Sequence, residues 1–331
     1  MTDSGVHAVE ELSMRQSFAP DSDLAFLQDF CVPFLVGAQN QDGGWGFQRS
    51  GESRVEPTCW SLLALRNAPG GVATDTFASG RQYLLAAQLR DGSWPASREE
   101  TRGSWVTSLA CSVLSVEEQC TAAVSAGLQW LCRDFPRDSS PFRLFVRRFF
   151  SSDSYSAHDD SLRGWGWTPR TSSWVEPTAF ALLALRDAAS ACMPRDASAR
   201  QQLAVELLYD HMCPGGGWNC GNPMVYGVPG EPLVLSTSWA LLALRDYPSH
   251  EKKSAGLAWL RNSYPQITSP GSRAVAKIAL QAYGAGVADN ASSLSMLLDQ
   301  CNHHQTVHVI AWTCLALNPQ RAWFPPCKGA A

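Results

Sequence analysis

The chain has 331 residues, 45% hydrophobic and 17% charged, with a formal net charge of −4. That balance fits a mildly acidic soluble globular protein; it offers nucleic acid no basic stripe, and no apolar run is long enough to span a bilayer. The eleven cysteines are odd in number and scattered, and Cys59, Cys111 and Cys314 fall inside apolar runs, which predicts reduced core thiols in a cytoplasmic protein.

Residues 1–20 are polar, hold Glu10, Glu11 and Arg15, and read as a flexible lead-in without an export signal. From about residue 22 a helical period begins in Phe26, Phe30, Phe34 and Leu35. It runs into Gln39, Asp42, Gly43 and Trp45, a device matched by Gln88, Asp91, Gly92 and Trp94 after Tyr83 and Leu84. Asp-Gly is turn chemistry, since Gly supplies the positive φ that ends a helix. The Trp beyond it is expected to fold back over the Gln amide while its indole N–H finds a partner. A pattern repeated at fixed spacing defines a structural unit.

Each turn leads into a second, more apolar helix. These span Thr58 to Leu65, Thr107 to Leu114, Thr178 to Leu185, Thr237 to Leu244 and Ile310 to Leu317, with a weaker one from Arg273 through Leu280. Helices apolar on every side are buried all round. Amphipathic stretches near residues 22–39, 76–88, 118–132, 198–212, 251–262 and 290–300 alternate with them as outer helices. Ala64, Ala184, Ala243 and Ala316 leave room for close approach of the inner ones. The expected fold is all-α, an α/α toroid of six hairpins whose inner helices line a central cavity; an open solenoid has the same periods. Length alone suggests two domains, but the continuous repeat argues for one ring over 21–320, followed by a tail at 321–331.

The third repeat carries an insertion at about 137–163. It begins with Pro141 to Phe150, where Arg143, Arg147 and Arg148 alternate with aromatics, a pattern suited to a membrane surface, a channel rim or a diphosphate, or to plain packing on the ring. Asp159 and Asp160 follow, as a solvated loop pair or as helpers of an acid or a metal-bound diphosphate. The stretch Cys213 to Cys220 is an altered turn with a Gly run that lacks the Lys-Ser/Thr of a phosphate loop. With Asn222 to Pro232 it reads as a long surface loop over the cavity. Cys301, His303, His304 and His308 cluster near the last inner helix, but without further ligands no metal site is expected, and no cofactor is called for.

Two inner helices open with Glu-Pro-Thr, at Glu56 and Glu176. Pro in the first turn and a carboxylate at the positive end of the dipole explain a helix start by themselves. Trp60, Trp239 and Trp312, with Phe180, occupy one register of the inner helices. Such a ring of aromatics fills a core, or lines a site for an elongated apolar ligand and stabilises a carbocation there.

The outer helix, Gln and Asp-Gly-x-Trp unit resembles the repeat of squalene and oxidosqualene cyclases, within the wider prenyltransferase and squalene-oxidase repeat superfamily, over about residues 22–318. The resemblance implies a cavity for an isoprenoid or other apolar small molecule and, if catalytic, protonation-initiated cyclisation. It puts Glu176, behind Trp174 and Val175, where the family keeps the proton-donating middle Asp of Asp-x-Asp-Asp, with Glu56 the second match. Trp174 and Pro177, or Arg54 and Pro57, replace the flanking carboxylates. Because triterpene cyclases of the family have two helical domains, a helical protein partner that supplies a wall is a further expected contact, and the Pro141 to Phe150 pattern adds a membrane surface. Two alternatives stay open: a non-catalytic ring that binds an isoprenoid or a protein, and a subunit like those of protein prenyltransferases. Against the latter, Leu235, Ser236 and Thr237 stand where that family's Asp-x-Cys zinc ligands would be.

Overall fold

The computed structural model describes residues 23–66, 68–117, 121–134, 159, 161–285, 291–300, 305–318, 323 and 324. The lead-in 1–20, Pro141 to Phe150, Asp160, Cys301, His303, His304 and most of the tail lie outside the described residues.

The first outer helix is made of α1 (Asp23–Phe26), a π-helical segment Leu27–Cys31 and α2 (Val32–Gly37). The remaining outer helices are α4 (Thr74–Ala87), α6 (Ala122–Arg133), α8 (Ala197–Asp210), α10 (Glu251–Ser263) and α12 (Ala291–Gln300). They alternate with the inner helices α3 (Val55–Leu65), α5 (Val106–Glu117), α7 (Val175–Asp187), α9 (Val234–Leu244), α11 (Pro270–Ala282) and α13 (Val307–Leu317). The inner helices start without a side-chain cap at Arg54, Trp174 and Leu233, and they are held by burial: in α9 every residue from Ser236 to Leu244 is buried.

Each inner helix packs on the next, and α13 packs on α3. The seam is stitched by Val307 N–H to Phe47 O at 2.9 Å and Arg49 N–H to Gln305 O at 3.0 Å, so the ring is closed and is not an open solenoid.

The repeated turn ties both the Gln amide and the Trp ring to neighbouring outer helices. Gln39 donates to Gly43 O and to Thr76 O in the next outer helix, both at 2.9 Å, and Gln88 repeats this with Gly92 O and Ala123 O. The Trp ring meets the next outer helix as well, at its glycine: a Cβ on Gly80 would stand 3.0 Å from Trp45, and one on Gly127 2.7 Å from Trp94. The indole N–H goes back to the preceding outer helix, at Leu35 O and Leu84 O, each 2.7 Å away. The backbone N–H of each Trp goes forward to the inner-helix Thr: Trp45 to Thr58, Trp94 to Thr107, Trp165 to Thr178 and Trp218 to Thr237, all at 2.9 Å. The device therefore locks hairpin to hairpin, and the pairing satisfies donors that burial would otherwise leave unpaired.

In the third repeat no Gln follows the outer helix. Arg200 of the next outer helix reaches in from the other side, donating to Arg163 O and Gly164 O at 3.0 Å, with its guanidinium 4.1 Å from the Trp165 ring centroid.

Cys59, Cys111 and Cys314 are buried thiols, whereas Cys192 is disulfide-bonded, so the expectation of uniformly reduced cysteines fails there. The loop after Trp218 forms a two-stranded hairpin, Met224–Val225 against Val228–Pro229, turning through Tyr226 and Gly227 at positive φ. No described helix is long and apolar enough to cross a membrane.

Candidate functional site

Inner helices in one register bring their equivalent residues to one level. Trp60 and Trp239 stack with ring centroids 5.4 Å apart, Phe180 lies 5.9 Å from Trp60 and 5.0 Å from Trp239, and Trp312 lies 5.6 Å from Trp60. All four aromatics chosen from register meet. Trp60, Phe180 and Trp239 are buried, and Trp312 is partly buried. Three further aromatics join them: Trp105, 5.1 Å from Phe180; Trp167, 5.2 Å from Trp105; and Trp323, 5.5 Å from Trp60. Trp105 stands two residues before Thr107, as Glu56 stands before Thr58, so its register was a usable signal. Trp323 lies beyond the last repeat, where register says nothing.

One helical turn nearer the inner-helix N-termini lie the two carboxyls. Glu56 is partly buried and its Oε1 accepts from Trp60 Nε1 at 3.4 Å. Burial pushes its carboxyl up to about 7, against the smaller opposing effect of that hydrogen bond. Glu176 is 8% exposed, and its Oε1 accepts the Ser236 hydroxyl of the neighbouring inner helix at 2.5 Å. Its carboxyl is raised by burial, with the Ser236 hydrogen bond, its own backbone N–H and Cys220 pulling the other way. Oε2 of Glu176 is buried without a hydrogen-bond partner. The Cys220 thiol is pushed up by burial and then by the Glu176 charge. Ser236 and Cys220 come from the next repeat, so nothing near Glu176 in the chain announces them.

Of the other expected site residues, Trp174 and Asp159 are among the described ones. Trp174 caps α7, is 37% exposed and borders Gly221 of the loop, whose Cys220 carbonyl accepts Val175 N–H at 2.8 Å. Asp159 is exposed, accepting Ser161 N–H at 2.8 Å while its own N–H goes to Asp210 at 3.0 Å. His308 is the second residue of α13, and its ring lies 5.1 Å from Trp312. Among the described residues no group of three or more His, Cys, Asp or Glu side chains is placed to hold a metal ion.

Chemically, this is a pair of carboxyls whose protonated forms burial favours, set at the edge of stacked π faces that stabilise positive charge. The chain is 24% identical over 285 residues to drimenyl diphosphate synthase of Streptomyces showdoensis, covering 73% of this chain and 52% of that protein. It is 35% identical over 81 residues to squalene–hopene cyclase of Bradyrhizobium diazoefficiens, covering 21% of this chain and 12% of that protein. The type II terpene cyclase MstE from Scytonema superposes with a TM-score of 0.53 at 14% identity, over 91% of this chain and 81% of that one. No protein-family model matches. The chain is a terpene cyclase-like α/α toroid. It spans about half the length of the first of these curated relatives, 52%, and far less of the second.

Proposed function

We propose that this ring binds an isoprenoid against its inner-helix aromatics and starts its cyclisation by protonation from Glu176. The observation that carries the reading is the Glu176 carboxyl, buried and hydrogen-bonded by Ser236 one turn above Phe180. Burial raises its carboxyl above the ordinary value and so favours the protonated form; the Ser236 hydroxyl stabilises the carboxylate left after donation, which is what an acid strong enough for an alkene requires. Glu56 is the weaker candidate, because its one described donor is a long indole contact at 3.4 Å. Trp60, Phe180, Trp239 and Trp312 then present π faces to the cation.

A specific observation favours a second reading, a ring that binds without turnover. Trp174 and Pro177 stand where the resemblance puts the carboxylates that flank the proton donor, so Glu176 lacks those charged neighbours. Incubation with geranylgeranyl diphosphate and with squalene, followed by product analysis, separates the two. The first reading expects a cyclised product that Glu176→Gln abolishes. Unchanged product from Glu176→Gln removes that residue from the acid role, and tight binding without product favours the second reading.

A further inference from the structure

Beyond the last inner helix, Trp323 enters the ring from the end opposite the carboxyls. Its indole N–H donates to Oδ2 of Asp187, the last residue of α7, at 3.0 Å, while its ring reaches up to lie 5.5 Å from Trp60 and 6.1 Å from Trp239. It is 3% exposed. The adjacent Phe324 is 1% exposed, with the Arg186 guanidinium 4.5 Å from its ring centroid. Arg186 in turn pairs with Asp187 Oδ1, so one Arg-Asp pair anchors both rings.

Phe324 holds this place with φ at 55°, the left-handed region that a bulky residue rarely enters. A backbone so placed persists only where its surroundings over-determine it, and such positions concentrate at clamps and switches. The segment bearing these rings belongs to no repeat. Withdrawing Trp323 would leave the undersides of Trp60 and Trp239 bare and free one oxygen of a buried carboxylate.

We propose that the Trp323–Phe324 pair is a displaceable occupant of the ring's lumen, and that an apolar alcohol takes its place. The ligand class follows from what the pair now supplies: flat or flexible apolar bulk against Trp60 and Trp239, and one hydrogen-bond donor for Asp187. The inference concerns the far end of the lumen from Glu176 and does not depend on that residue being an acid.

The test uses geranylgeraniol and full-length protein carrying 5-fluorotryptophan, with the Trp323 fluorine signal assigned from Trp323→Phe. Saturating ligand should shift that signal towards its solvent-exposed position, and Trp323→Ala should bind about tenfold more tightly, since the cost of displacing the ring is gone. Should Trp323→Ala not fold, Trp323→Phe, which removes the indole donor and leaves Asp187 in place to accept from the alcohol, should also tighten binding. An unmoved Trp323 signal at saturation, unchanged or weaker binding by the variants, or no binding by any form would overturn the proposal. Because every readout is binding at this end, a loss of cyclisation in Glu176→Gln has no bearing on it.

Discussion

The indole of Trp60 donates to the carboxyl of Glu56 one helical turn away, at 3.4 Å, and that single long bond does not offset the burial of the acid. The Glu56 carboxyl rises from 4.5 to about 7 on folding. With its folded value above the unfolded one, the folded state binds the proton more tightly, so stability falls as pH rises from about 4.5 to about 7 and is level beyond. Glu56→Gln should therefore match the parent near pH 4 and exceed it by about 2–3 kcal/mol at pH 8, given a ceiling of roughly 1.4 kcal/mol per pH unit across that window. Urea unfolding across that range checks the sign. A variant less stable than the parent at pH 8 would show that the ionised carboxylate has partners it is not seen to have.

Thr178 accepts the backbone N–H of Trp165 at 2.9 Å inside the core, where no water can replace it. Thr178→Val keeps the shape and removes the acceptor, so it should cost about 1–3 kcal/mol, the penalty of an unpaired buried donor. Thr178→Ser should recover most of this. Chemical denaturation of the pair reads both values.

Gly127 lies within α6, where Ala would ordinarily stabilise a helix by about 1 kcal/mol. Here a Cβ would stand 2.5 Å from Cys111 Sγ and 2.7 Å from the Trp94 ring. Gly127→Ala should therefore destabilise by about 1–3 kcal/mol, the cost of overpacking, despite its better propensity. A raised melting temperature would contradict the interlocking of Trp with the next helix.

The ring was legible because burial imposes a period that the chain repeats: the inner helices appear as runs ending in Leu65, Leu185 and Leu244, and register alone grouped Trp60, Phe180, Trp239 and Trp312. What the sequence conceals is contact between repeats. Gln39 shows its turn but not that its amide spans to Thr76, and Arg200 takes over a Gln's role from a different helix, so no local pattern marks it. Ser236 reaches Glu176 from a position 60 residues away. Trp323, outside every repeat, had no register to place it. Trp174, taken from its neighbour Glu176, is the N-cap of the helix that carries the acid and is 37% exposed.

Delivery of a proton from Glu176 to a bound isoprenoid is tested most directly by running the geranylgeranyl diphosphate and squalene incubations in deuterium oxide, with products read by mass spectrometry. A protonation start places one solvent-derived hydrogen on carbon in each molecule of product. The expected result is a cyclised product one mass unit heavier from the parent protein and none from Glu176→Gln. A cyclised product without the label, or the same labelled product from Glu176→Gln, would contradict that role.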